Sequence, residues 1–307
     1  MIKKTKKSFI SLVKRIFSEE MDKKILLEAK RISLLNKKNK KIKDLSDIEF
    51  KVYSQWGEDG IIDWLVDKLP QIPKKFLEIG TQDYKESNTR FLLINRNWDG
   101  FLIEADKDAI KNIKSQRVYW RYNLTAINEF ITKDNINNII NKNNIPKKLG
   151  LLSLDIDGND YWILKKLSSL DASLIICEYN SLFGQKKSVT VPYKKNFIRS
   201  KEHYSNLYYG ASIVAFIELM KKKNYYLVGT NSAGNNAFFV KKKLWSKVKK
   251  LIIKKKVFNS KFRESRDMKG KLTFLNKKKS LTLIKNKFMI DLKSNTKKKI
   301  SELKLLD

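Results

Sequence analysis

The chain is short of the residues that most often organise metal and redox chemistry. Among its 307 residues there is one cysteine and one histidine. A lone cysteine excludes an internal disulfide framework and any multi-cysteine zinc site, and a lone histidine excludes a histidine-rich metal centre. No apolar run approaches the roughly 18 residues that a membrane span requires. The start, Met1-Ile2-Lys3-Lys4, is basic, but no unbroken apolar stretch follows it. We therefore read no cleaved secretion signal and expect a cytoplasmic protein, with peripheral contact at the inner face of the membrane as a further option. Arginine is scarce too, at nine residues against 57 lysines. Sequence-specific nucleic-acid readers lean on the arginine fork, so that partner class is not favoured.

What is present is a globular balance, with 42% hydrophobic and 32% charged residues. At about 150 residues per domain, the length suits two domains or one large one with extensions. The formal net charge of +34 is unevenly spread, at +8 over residues 1–49, +7 over 50–240 and +19 over 241–307. Solvated lysine faces, together with a compositional bias toward lysine and asparagine, are one explanation. Attraction to an anionic surface such as phospholipid is the other.

Three segments follow from this texture: a basic helical extension over 1–50, a central α/β domain over 51–240, and a lysine-rich extension over 241–307. In the first, Phe9, Ile10, Leu12, Val13, Ile16 and Phe17 fall at helical spacing between lysines. Such a segment suits either packing on the main domain or lying on an anionic membrane. In the second, short apolar runs alternate with helical stretches. Strands are expected at Lys75–Gly80, Gly100–Ala105, Arg117–Tyr122, Leu149–Asp155 and Ala172–Tyr179. Helices are expected between them, including one capped by Thr125 and running to about Asn141. This rhythm means parallel strands joined by right-handed crossovers, and the unbroken apolar runs suit a sheet buried on both faces. A long polar and aromatic loop follows over about 180–208. Two close strands near 225–240 then suggest an antiparallel pair.

In such a sheet, ligands bind beyond the carboxyl ends of the strands. Those ends are polar here. Phe76-Leu77-Glu78-Ile79-Gly80-Thr81 closes the first strand, and a glycine at that turn lets backbone approach a ligand. Glu104 ends the second strand and is placed to accept from two ribose hydroxyls. That pairing suits S-adenosylmethionine as well as NAD, and the missing G-x-G-x-x-G turn weakens the case for a pyrophosphate-bearing cofactor. The run Asp155-Ile156-Asp157-Gly158-Asn159-Asp160 crowds three carboxylates at the fourth strand's end. The repulsion needs an offset: a cation, a donor-rich ligand or capping by Asn159. A hard metal would suit those oxygens, though no residue is assigned as a metal ligand. His203, in the long loop, is a candidate general base by its ordinary pKa. Cys177, inside an apolar strand, reads as an inert thiol. Ser232, Asn235 and Asn236 suit either turn chemistry or ligand contact. Arg263 and Arg266 suit a surface ion pair or an anion.

On these residues the chain resembles the FkbM-like branch of class I S-adenosylmethionine-dependent methyltransferases, from about Gln55 to Val240. The resemblance rests on Glu78-Ile79-Gly80, Ile103-Glu104 and Leu154-Asp155-Ile156-Asp157-Gly158-Asn159-Asp160. It extends to a group of bacterial proteins, often encoded near surface-glycan genes, that share stretches such as Glu86–Phe91, Ser188–Tyr193, His203–Tyr208 and Asn231–Asn236. Tyr84 departs from the family pattern, standing where a further glycine is common.

The likeness implies a Rossmann-like seven-stranded, mostly parallel sheet with an antiparallel last strand. It also implies S-adenosylmethionine as cofactor and methyl transfer to a hydroxyl on a glycan or related small acceptor. By it, Glu78, Gly80 and Thr81 line the methionine side, Glu104 the ribose, and Asp155 to Asp157 the space between methyl and acceptor. Asp157 or His203 then takes the acceptor's proton. Two other readings stay open: a metal-dependent glycosyltransferase using Asp155 and Asp157, and a non-catalytic binding module held at an anionic surface.

Overall fold

The computed structural model describes residues 2–305, with side chains from residue 20 onward. The helices are α1 (Ile2–Lys38), α2 (Glu58–Lys68), α3 (Arg90–Arg96), α4 (Lys107–Ser115), α5 (Arg117–Arg121), α6 (Ile136–Lys142), α7 (Asp160–Lys166), α8 (Arg199–Glu202), α9 (Ile213–Lys222), α10 (Lys242–Lys249) and α11 (Lys277–Leu283). The strands are β1 (Lys75–Ile79), β2 (Asp99–Glu104), β3 (Leu124–Asn128), β4 (Lys148–Leu154), β5 (Asp171–Glu178), β6 (Val189–Thr190), β7 (Tyr225–Thr230), β8 (Asn236–Lys241), β9 (Phe288–Asp291) and β10 (Thr296–Lys299). The apolar spacing noted at Phe9 to Phe17 falls on side chains outside the described residues.

Seven strands form one sheet in the order β3-β2-β1-β4-β5-β8-β7. All neighbours from β3 to β5 are parallel, while β8 runs antiparallel to both β5 and β7. This is the Rossmann-like, mostly parallel sheet expected, with its last strand reversed. The apolar runs divide between the two faces by strand alternation. Phe76, Leu151, Leu174, Ile176, Phe238 and Val240 enter one core with α2, α3, α4 and α10. Leu77, Ile79, Leu152, Leu154, Ile175, Cys177 and Phe239 enter the other, under α6, α7 and α9. The central strands β1, β4, β5 and β8 are thus buried on both sides, which is why they read as continuous rather than alternating hydrophobicity.

The third strand departs from expectation. Arg117–Arg121 is helix α5, and β3 lies at Leu124–Asn128, where the helix capped by Thr125 was expected. The Val-Tyr-Trp run has the better strand propensity, but only Val118 is buried and Trp120 is 67% exposed. Leu124, Ala126 and Ile127 are small enough and placed to pair with β2 from Gly100 to Glu104. Tertiary pairing decides against local propensity.

Outside the main sheet, β6 from the 180–208 loop pairs with β9, which pairs with β10. Phe183, Val189, Val191 and Leu207 from that loop share a separate core with Leu281, Ile284, Met289 and Ile300. The long loop and the C-terminal segment therefore fold as one layer at the carboxyl edge of the sheet. Among the described residues, no helix is long and apolar enough to cross a membrane.

Candidate active site at the switch point of the sheet

The chain leaves β1 toward β2 on one side, and β4 flanks β1 on the other. A crevice opens where strand order reverses in this way. Two cavities occupy it and share Gly80, Gln82, Asp155 and Asp157. The larger, about 310 Å³, also reaches Thr81, Glu178, Arg199, Asn236, Phe262 and Glu264. The smaller, about 240 Å³, is lined by Ile103, Glu104, Phe130, Ile131, Ile156 and Phe197.

Gly80 sets the geometry of the divide. Its φ is +82°, and a Cβ there would stand 1.7 Å from the Asp155 carbonyl oxygen. Only glycine lets the two strand ends approach this closely. The following turn keeps left-handed residues at Gln82 and Tyr84 (φ +46° and +61°). Tyr84 thus adopts the backbone region that a glycine would favour. It is fully buried, and its hydroxyl lies 3.1 Å from Thr89 Oγ1.

Glu78 lines the larger cavity but is committed to the turn. Its carboxylate accepts from Ser87 Oγ (2.6 Å), Thr89 Oγ1 (2.5 Å) and the Asn88 N–H (2.9 Å). Burial pushes its pKa up, while these donors pull it down. Ser87 in turn accepts from the N–H groups of Thr89 and Arg90, so the start of α3 is tied to β1 through one carboxylate. Glu104, at the end of β2, accepts from the Gln82 N–H (2.7 Å) and the Asp106 N–H (2.9 Å), one on each oxygen. Each oxygen keeps a lone pair for a further donor.

The carboxylates of the β4 turn have separate tasks. Asp160 is buried, and it accepts from the N–H groups of Ile156 and Gly158, closing the turn on itself. Burial raises its pKa to about 6 against those hydrogen bonds. Asn159 holds the N-cap position of α7 without a side-chain capping bond and donates to the Lys194 carbonyl instead. Asp155 is driven well above the ordinary carboxylate range, first by burial and then by Asp157 and Asp160. Asp157, at φ +56°, turns its more exposed carboxylate to Arg199, whose Nη1 lies 3.1 Å from Oδ1.

Arg199 is the central cation of the larger cavity. It donates to the Asn206 carbonyl (2.6 Å), stacks 3.5 Å from the Tyr209 ring centroid and lies 3.6 Å from Glu264. Burial opposes its charge, but Tyr209, Glu178, Glu264 and Asp157 outweigh that and raise its pKa. Glu178, ending β5, is buried; burial and then Asp155 push its pKa well up, and Oε2 has no hydrogen-bond partner.

Sequence reasoning marked Glu78, Gly80, Thr81, Glu104, Asp155 and Asp157, and the structure brings all six to the two cavities. His203 lies elsewhere. It lines neither cavity, its Nδ1 is 2.7 Å from Ser205 Oγ, and burial and then Lys287 lower its pKa. Asn231 Oδ1 gathers the N–H groups of Gly234, Asn235 and Asn236, which is turn chemistry, while Asn235 and Asn236 also reach the larger cavity. Arg199 and Glu264 were missed as site residues. The scarcity of arginine that singled out Arg263 and Arg266 applies equally to Arg199 and could have found it. Glu264 carries no local signal. Cys177 is fully buried, and burial drives its thiol pKa upward, leaving it protonated.

The crevice suits S-adenosylmethionine. A single-glycine turn, an acidic residue at the end of β2, an apolar slot at Phe130 and Ile131, and an unpartnered Thr81 Oγ1 fit its parts without requiring a pyrophosphate cradle. No protein-family model and no curated protein matches the chain. Several solved structures are remotely similar. They include the N-terminal domain of EvdMO1 with SAH bound (8% identity over 71% of this chain and 94% of that one, TM-score 0.39). A putative caffeoyl-CoA O-methyltransferase from Staphylococcus aureus has 16% identity over 60% and 82% of the chains, with TM-score 0.39. The O-methyltransferase from Bacillus cereus in complex with SAH has 14% identity over 70% and 89%, with TM-score 0.38.

Proposed function

We propose that the chain is an S-adenosylmethionine-dependent methyltransferase of the FkbM-like type, acting on a hydroxyl of a glycan or related small acceptor. The observation that carries this reading is the pair of cavities meeting at Gly80 and Asp157, with Glu104 on the apolar side and a wall of polar groups on the other.

The smaller cavity takes the nucleoside. Glu104 accepts from the ribose hydroxyls with the lone pairs its two backbone donors leave free, and Phe130, Ile131 and Phe197 exclude water around the base. Gly80 and Thr81 lead toward the larger cavity, where the acceptor sits. When bound, the cofactor supplies an electrophilic methyl group on its sulfonium. The chain's own contribution is mainly alignment of the acceptor oxygen. Asp157 stands at the junction, and Arg199 fixes its Oδ1. In this reading its Oδ2 takes the acceptor's proton. His203 lies outside both cavities and has no part in this reading.

Calorimetry with S-adenosylmethionine, S-adenosylhomocysteine and NAD is the test. The first two should bind, and Glu104→Ala should weaken them about tenfold or more, roughly 1.4 kcal/mol. Unchanged affinity in that variant would remove the ribose assignment. Absence of binding by the wild-type protein would remove the whole reading.

A further inference from the structure

We infer that Asp155, Asp157 and Glu178 form a binding site for one hard divalent cation, magnesium or manganese. One carboxylate oxygen from each lies within 4.8 Å of the others. Two of the three residues end adjacent parallel strands, β4 and β5, so the sheet itself brings them together. Glu178 is buried and Asp155 half-buried, and Glu178 Oε2 accepts no hydrogen bond. The nearby Arg199 guanidinium pairs with Asp157 Oδ1 and Glu264, so one positive charge meets the cluster from its outer side.

An independent residue points the same way. Asn236 faces Glu178 across the β5–β8 pair, is 3% exposed and leaves its Oδ1 without a partner in the same cavity. Its Nδ2 is already spent on Glu58 (2.8 Å), so the amide cannot turn a donor inward without losing that bond. The cavity wall therefore offers oxygen acceptors in excess of donors, and six carboxylates against three guanidinium groups line it. Burying unpaired carboxylates is costly unless a cation or donor offsets it. With no histidine or thiolate in the set, the donors are all hard oxygens, which select magnesium or manganese over zinc or copper. Three carboxylates leave coordination positions open to water or to an acceptor hydroxyl, which a bound cation would acidify. Only that last role rests on the methyl-transfer reading; the site does not.

The test uses the full chain after chelator treatment, titrated with manganese chloride while free Mn²⁺ is followed by electron paramagnetic resonance. We expect about one saturable site per chain, competition by magnesium and a rise in melting temperature on loading. Glu178→Gln and Asp157→Asn should each weaken binding by about tenfold or more. Asp157 is exposed enough for its variant to fold whatever happens at Glu178. No saturable Mn²⁺ binding by the wild-type protein, or binding by both variants as tight as wild type, overturns the inference. Cofactor binding without any Mn²⁺ site overturns it alone and assigns the open acceptors to the cofactor or the acceptor substrate. Mn²⁺ binding without cofactor binding overturns the methyl-transfer reading alone.

Discussion

Glu178 shows how much one buried side chain can hold in reserve. Its folded pKa lies well above the ordinary 4.5, because burial and Asp155 both disfavour the charge. A carboxyl of this kind lowers stability once pH rises above the unfolded value, and the loss is complete above the folded one. In metal-free protein at pH 8, Glu178→Gln should therefore raise stability, by about 1–3 kcal/mol. The gain should shrink as pH falls through the folded pKa, where the wild-type group takes up its proton. Urea unfolding of both proteins at pH 8 and pH 5 checks this, and a gain that is constant or larger at pH 5 would refute it. Gly80→Ala makes the opposite case. A left-handed backbone at φ +82° and a Cβ 1.7 Å from a carbonyl oxygen leave no room without parting β1 from β4. The expected loss is about 2 kcal/mol or more, from strain alone, and a melting temperature equal to wild type would contradict it. Gly80, Glu104, Asp155 and Asp157 were legible in the sequence because each closes a strand, and strand ends are where such a sheet binds. Arg199 and Glu264 were not, because they reach the crevice from the start of α8 and from a C-terminal loop, whose placement depends on packing far along the chain.

At the scale of elements, the main sheet was readable because burial on both faces writes itself as unbroken apolar runs. The slip at β3 came from the same rule. Arg117–Tyr122 is the more strand-like run, but it sits on the surface while the weaker Leu124–Asn128 finds the ladder with β2. The segment after α10 had no such signature. Its lysines hide a chain that is stitched to the sheet's carboxyl edge, through Thr230 Oγ1 accepting from the Phe258 N–H, Tyr179 donating to the Phe258 carbonyl and Ser181 Oγ accepting from the Ser260 N–H. Gly234 lets Asn259 pass over the β7–β8 turn, since a Cβ there would meet Asn259 at 2.4 Å. Beyond it, Phe262 stacks on Trp56 with centroids 4.6 Å apart and helps wall the larger cavity. Phe262→Ala removes a contact worth about 1 kcal/mol beyond area burial. Amide exchange in residues 260–266 should accelerate by roughly fivefold, the population change that such an energy produces, while exchange in β4 and β5 stays at the wild-type rate. Equal exchange throughout would show that the stack does not hold this wall.

For the molecule as a whole, the decisive quantity is where the +34 sits. The crevice is the exception, since carboxylates outnumber guanidinium groups along the larger cavity. The surplus lies in the first 49 residues and beyond residue 240. The far end of α1 is anchored, with Ala29 buried and Ser33 Oγ donating to Asp63 (2.5 Å). Met21, Ile25, Leu27, Leu34 and Leu35 along the same helix stay exposed among lysines. Apolar side chains interleaved with basic ones lower the free energy of adsorption to anionic lipid in two ways, through burial in the headgroup boundary and through about 1 kcal/mol per basic residue at the surface. The full chain should thus sediment with vesicles containing phosphatidylserine at low salt and be released as the Debye length falls to about 3 Å near 1 M salt. Neutral phosphatidylcholine vesicles should retain little. Changing Leu27, Leu34 and Leu35 to glutamine separates the two contributions: charge-driven binding at low salt should persist, while the part that survives intermediate salt should disappear. Equal binding to neutral and anionic vesicles, or no binding to either, would mean that the lysines only solvate the surface and that access to the crevice is governed from solution.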